Sequence, residues 1–135
     1  VGKIGVKDAI LGKPGALDSD EWVQMKEHAV IGESIILAID MPSARDASKV
    51  IRHHHEHFDG SGYPDGLYGD AIPLSSRIIS ITDSYDAMAI TRAYHRPRTH
   101  DEIMQILGKE EGHKHDHRLL EIFRRLIVDS PYRTA

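Results

Sequence analysis

The chain has no cysteine, which excludes disulfides and thiolate metal sites together and fits a reducing compartment. No apolar run approaches the roughly 20 residues that a membrane-spanning helix needs, and no charged-then-apolar leader opens the sequence. Positive charge is not in excess either. Seventeen Lys and Arg stand against twenty-one Asp and Glu, for a formal net charge of −4, so a nucleic-acid-binding footprint is lacking. These absences lead us to expect a cytoplasmic domain that contacts neither nucleic acid nor membrane.

What is present is ordinary for a globular protein. Hydrophobic residues make up 40% and charged residues 28% of 135 positions, enough for one domain with a real core, read as a single unit over 1–135. The unusual count is histidine. There are ten, clustered at 53 to 55 with 57 and again at 113, 115 and 117. The sequence opens on Val1, and we expect a fragment of a longer protein that lacks N-terminal helices.

Helical signals dominate, and no segment reads as a strand. Gly2, Gly5, Gly12, Pro14 and Gly15 make the opening irregular, with one short turn near Lys7–Leu11. Asp18 with Glu21 three residues on is a capping box, starting a helix over about 19–28 that should bury Trp22, Met25 and Val23 or Ala29. After a bend near Ala29–Gly32, the apolar run Ile31–Ile39 continues as a further helix. Pro42-Ser43 caps the helix that ends at the histidines. Pro73 starts a long one, Leu74 to about Thr91, with the stripe Leu74, Ile78, Ile81, Tyr85 and Met88 and with Asp83 and Asp86 beside it. Thr99 and Glu102 form a second capping box for a helix to about Leu107. The last helix, near Asp116 to Val128, should bury Leu119, Leu120, Phe123, Leu126 and Ile127. The fold class is all-α.

The stretch from Val50 to Pro64 organises the rest. Ala47, Val50, Ile51 and His54 fall at i, i+3, i+4 and i+7, one helical face. A histidine ending an apolar face is either neutral and hydrogen-bonded or holds a metal through a ring nitrogen. Gly60, Gly62 and Pro64 then punctuate a stiff, turn-rich loop over the same place. His28, taken alone, reads as a surface or C-cap histidine, Lys3 as a solvated lysine and Arg92 as a helix C-terminal cation. The series His113, His115 and His117 reads as a solvated loop rather than a metal comb.

His54-His55-Glu56 followed by Asp59-Gly60-Ser61-Gly62-Tyr63-Pro64 resembles the HD-GYP family of metal-dependent cyclic di-GMP phosphodiesterases. Gly2-Lys3-Ile4-Gly5, Met25-Lys26-Glu27-His28 with Ile31-Gly32, Ser76-Arg77-Ile78-Ile79 through Asp83-Ser84-Tyr85-Asp86-Ala87, Arg92-Ala93-Tyr94-His95 and Gly112 to Asp116 look like its other motifs, in order. The resemblance implies an HD-superfamily helical bundle of about five to seven helices and a centre of two or three divalent metals, iron or manganese. It places metal ligands at His28, His54, His55 and Asp83, a mixed imidazole and carboxylate set that suits iron, manganese or zinc. Metals about 3.5–4 Å apart can clamp a phosphodiester and activate the attacking water. The resemblance further implies a catalytic Lys3, substrate contacts at Tyr63 and Arg92, and Glu56 and Asp86 behind the ligands, orienting imidazoles.

The resemblance also carries departures. The family has a His-Asp ligand pair just before the residue matching Val1, and His95 and Ala93 replace Lys or Arg and Pro. We therefore expect an incomplete metal site, with loose metal binding and little hydrolysis, in this chain, and hydrolysis of cyclic di-GMP in bacterial two-component signalling by its parent. The alternative is a non-catalytic docking module. It would bind partners such as diguanylate cyclases through the loop Gly62, Tyr63 and Pro64.

Overall fold

The computed structural model describes residues 1–90 and 97–134. Among them run seven α-helices: α1 (Asp8–Leu11), α2 (Ser19–Lys26), α3 (His28–Leu37), α4 (Ala44–Arg52), α5 (Leu74–Ala89), α6 (His100–Lys109) and α7 (His117–Ile127). Short 3-10 turns cover Gly2–Gly5 and Gly69–Ala71. The all-α expectation holds, and two isolated bridges, Asp59 with Tyr68 and Glu111 with His115, are the extended pairings among the described residues.

Both predicted capping boxes form. Asp18 accepts from the Glu21 N–H while Glu21 accepts from the Asp18 N–H, and Thr99 and Glu102 do the same at α6. The bend between α2 and α3 falls at Glu27, earlier than the pattern suggests. There the Glu27 N–H bonds back three residues to Gln24, tightening the last turn of α2. This makes His28 the first residue of α3 rather than the tail of α2.

The N-terminal half packs α3 along α4, with the Gly2–Gly5 turn laid across α3. Gly2 is required there, because a Cβ would lie 1.7 Å from the His28 carbonyl oxygen. That contact holds Lys3 in place beside α3. The C-terminal half encloses the main core: Ile81 and Tyr85 from α5, Ile103 and Leu107 from α6, Leu120 and Ile127 from α7. Burying each such side chain contributes about 1.5–3 kcal/mol. The seam between the halves is polar. Ser76 of α5 donates to the Val50 carbonyl of α4 across it at 3.1 Å, while within the C-terminal half Arg77 bonds the buried Asp116 at the start of α7 at 2.8 Å.

Several expected core positions are exposed. Trp22 and Val23 stay in solvent because α2 buries none of its residues. Ala47 is exposed; α4 instead turns Ala44 and Ser48 inward. Leu74, Ile78 and Leu126 rim an open groove between α5 and α7. Ser76 and Ser80 take buried places that pattern alone assigned to larger residues.

Candidate metal centre

Two elements deliver three imidazoles to the seam. His28 begins α3; His54 and His55 lie on the turn just past α4, not on its helical face. The Nδ1 of His28 donates to the Met25 carbonyl at 2.6 Å, and the Nδ1 of His54 donates to the Ile51 carbonyl at 2.5 Å. A carbonyl can only accept, so each Nδ1 carries a proton, and in the neutral form of either ring Nε2 carries the lone pair. Those two Nε2 atoms face each other 3.4 Å apart. Two acceptors in that arrangement repel unless a proton or a cation lies between them.

Burial disfavours the proton. It lowers His54, and it pushes His55 down to about 3 with help from the charges of His54 and His28. A cation fits instead. Two nitrogens bound at about 2.1 Å with a tetrahedral angle would stand about 3.4 Å apart, the spacing found. Ligand nitrogens of His28, His54 and His55 all lie within 4.8 Å of one another. His55 rests against the other two, its ring centroid 3.9 Å from His54 and 4.9 Å from His28.

Asp83 is exposed on α5 and stands outside that group. It lines, with His54 and His55, a cavity of about 240 Å³ at the seam. Its carboxylate favours the charged form of His54, opposing burial, and adds to the burial that pushes the Tyr63 phenol up to about 12. Tyr63 stacks on His55 with centroids 5.0 Å apart and planes 29° apart. Lys3 is exposed, and its charge contributes to the lowering of His55.

The loop that carries Tyr63 is held by Glu56. Its buried carboxylate accepts the N–H groups of Asp65 at 2.7 Å and Leu67 at 3.0 Å. Glu56 thus secures the loop backbone, and among the described residues no imidazole is hydrogen-bonded to it. Gly62 admits no side chain, since a Cβ would meet the His57 nitrogen at 2.1 Å; Pro64 follows Tyr63 in the half-buried part of the loop. Asp86 is also displaced from its expected place. It lines a separate cavity with Phe123 and Tyr132, because three residues along a helix from Asp83 leave it on the flank turned toward α7. Arg92 lies outside the described residues.

Sequence reasoning missed the far wall of the cavity, formed by His57, Ser80, Glu110 and Lys114. It also misread His115, which is fully buried. Its Nε2 pairs with Glu110 at 3.2 Å and its Nδ1 lies 3.4 Å from the Ser80 hydroxyl. Alternation of exposed His113 and His117 around it was the only available signal.

The HD-domain family matches residues 1–119. The chain is 39% identical over 122 residues to the 3'3'-cGAMP-specific phosphodiesterase 2 of Vibrio cholerae, covering 90% of the chain and 23% of that protein. It is 38% identical over 125 residues to the cyclic di-GMP phosphodiesterase response regulator RpfG of Xanthomonas campestris, covering 93% and 33%. Against a cyclic di-GMP phosphodiesterase of Thermotoga maritima it is 37% identical over 126 residues, covering 93% and 34%. It thus spans about a quarter to a third of the length of these relatives.

Proposed function

The chain belongs to the HD-domain family, and on that footing we propose that the imidazole pocket is the centre of a metal-dependent phosphodiesterase acting on cyclic di-GMP in second-messenger signalling in the cytoplasm. The observation that carries this reading is the pair of Nε2 lone pairs facing each other at 3.4 Å, each fixed by a carbonyl behind it. His28, His54 and His55 would hold the metal and Asp83 would complete the set from α5. Two or three divalent ions, iron or manganese, suit such donors. A divalent ion held there supplies Lewis acidity toward a phosphodiester and its attacking water.

The chain's own residues do the rest. The carbonyls of Met25 and Ile51 fix the two imidazoles in the ligating tautomer. Lys3, next to the pocket, neutralises phosphate charge as it concentrates on the non-bridging oxygens. Tyr63 offers a ring for a base, held over His55 by the loop that Glu56 secures. Arg92 is proposed as a second phosphate contact on the basis of its motif.

Relatives are named for both cyclic di-GMP and 3'3'-cGAMP, so the assay should offer both dinucleotides to the intact protein with manganese or iron(II). We expect turnover of cyclic di-GMP, and its loss on His54→Ala and on Asp83→Ala. Turnover that survives either substitution would sink the proposal. The docking alternative gains less support, because the Tyr63 ring packs inward on His55 rather than outward to a partner.

A further inference from the structure

The largest ring in the chain is left in solvent. Trp22, the only tryptophan, is 47% exposed on a helix that buries none of its residues. Its neighbours are specific. Lys26, one turn along α2, sets its Nζ 5.9 Å from the Trp22 ring and 5.4 Å from the Tyr63 ring. Trp22 and Tyr63 meet edge to face at 6.5 Å, and Tyr63 stacks in turn on His55. A continuous row of rings therefore runs from open solvent to the imidazole pocket. Among the described residues no carboxylate lies within ion-pair reach of Lys26. Its ammonium rests on aromatic faces alone, an arrangement that is attractive but leaves its hydrogen-bond donors free.

Aromatic faces with a cation beside them are how single-stranded nucleotides are held: the base stacks and the cation meets the phosphate. A protein partner would explain an exposed tryptophan. It would not explain why the row leads inward to the candidate ligand His55, or why the cation between the rings has no carboxylate partner among the described residues. We propose that Trp22, Lys26 and Tyr63 form a subsite for a nucleobase and its attached phosphate at the rim of the imidazole pocket. Trp22 takes the base on its exposed face, and Lys26 takes the phosphate. The subsite's place in catalysis rests on the phosphodiesterase reading; its ability to bind a nucleotide does not.

Because Trp22 is the single tryptophan, its emission reports occupancy directly. The chain would be titrated in EDTA with GMP, and with ribose 5-phosphate as the phosphate without a base. We expect saturable quenching by GMP and none by ribose 5-phosphate, with Lys26→Ala weakening GMP several-fold while leaving guanosine unchanged. No saturable response to GMP, or an equal response to ribose 5-phosphate, would overturn the subsite. In the manganese-loaded intact protein, Trp22→Ala should raise KM for cyclic di-GMP by roughly 5- to 150-fold, the worth of one base–aromatic stack. The kcat should stay within about twofold, as for an interaction made equally in ground and transition states, and Trp22→Phe should recover most of the loss. An unchanged KM in Trp22→Ala refutes the subsite even where turnover proceeds. Quenching by GMP without any turnover would instead refute the phosphodiesterase reading and keep the subsite.

Discussion

His53 and His54 are adjacent in the chain and end in opposite chemistry. Each belongs to a group of side chains whose ligand atoms lie within 4.8 Å of one another: His53 with Glu56 and Asp65, His54 with His28 and His55. In the first group both carboxylates are already engaged by donors of the chain. Arg52 forks both oxygens of Asp65 at 2.7 Å and reaches Glu33 at 2.6 Å, His53 bonds Asp65 at 2.9 Å, and backbone N–H groups fill Glu56. Asp65 is accordingly held down at about 2, chiefly by its hydrogen bonds to Arg52, and Arg52 is raised by the same bonds. A cation entering there would have to displace a guanidinium. In the second group the Nδ1 atoms of His28 and His54 are satisfied by carbonyls, and their Nε2 atoms face each other at 3.4 Å. Proximity of histidines and carboxylates does not make a metal site; unspent lone pairs do.

The largest effect should come from removing one of those lone pairs. His28→Ala or His54→Ala should weaken manganese or iron(II) binding, read by calorimetry, by more than the roughly 10–100-fold that loss of an outer partner costs. His53→Ala should leave affinity and stoichiometry unchanged. Equal losses from 53 and 54 would erase the contrast between the two groups.

Next in size is the buried carboxylate of the saturated group. Glu56→Ala strands the N–H groups of Asp65 and Leu67, which should cost about 2–4 kcal/mol in urea unfolding. The same substitution should release Tyr63 from His55. A loss under about 0.5 kcal/mol would mean that the loop holds itself.

A histidine outside both groups gives a pH signature. Burial, aided by the Lys114 charge, pushes His115 down to about 4. Between the ordinary histidine value near 6.5 and about 4, the unfolded chain binds a proton at this site that the folded chain does not. The His115 contribution is therefore complete above pH 6.5 and is lost as pH falls toward 4, by on the order of 2 kcal/mol. Urea midpoints measured across that window should decline less steeply in His115→Gln than in the wild type. An unchanged slope would show that His115 does not set it.

The smallest effect belongs to the exposed network. His53→Ala removes one partner of a carboxylate that Arg52 still grips, so the cost should stay within about 1 kcal/mol. A larger value would mark that network as structural rather than superficial.

The helices were largely legible because their signals are local. Asp18 with Glu21 and Thr99 with Glu102 satisfy the first free N–H groups of their own helices, a bond that needs no tertiary partner. The ligand candidates came instead from a family resemblance, and the HD-domain match bears out that family. Burial was read less well. A period of 3.6 says which residues share a face, not whether a neighbour arrives to cover it, so Trp22, Ile78 and Leu126 were expected inside and lie outside. His115, flanked by polar residues, was expected outside and lies inside.

Residue choice alone thus settled that the chain is helical and where most helices begin, since caps and periodicity act within one turn. Only the packed molecule decided which ring nitrogens face one another, that Glu56 holds a loop and Asp86 faces another cavity, and that a tryptophan stands open beside Tyr63. Each of those depends on groups distant in sequence meeting at a few ångströms, and short-range pattern carries no information about such meetings.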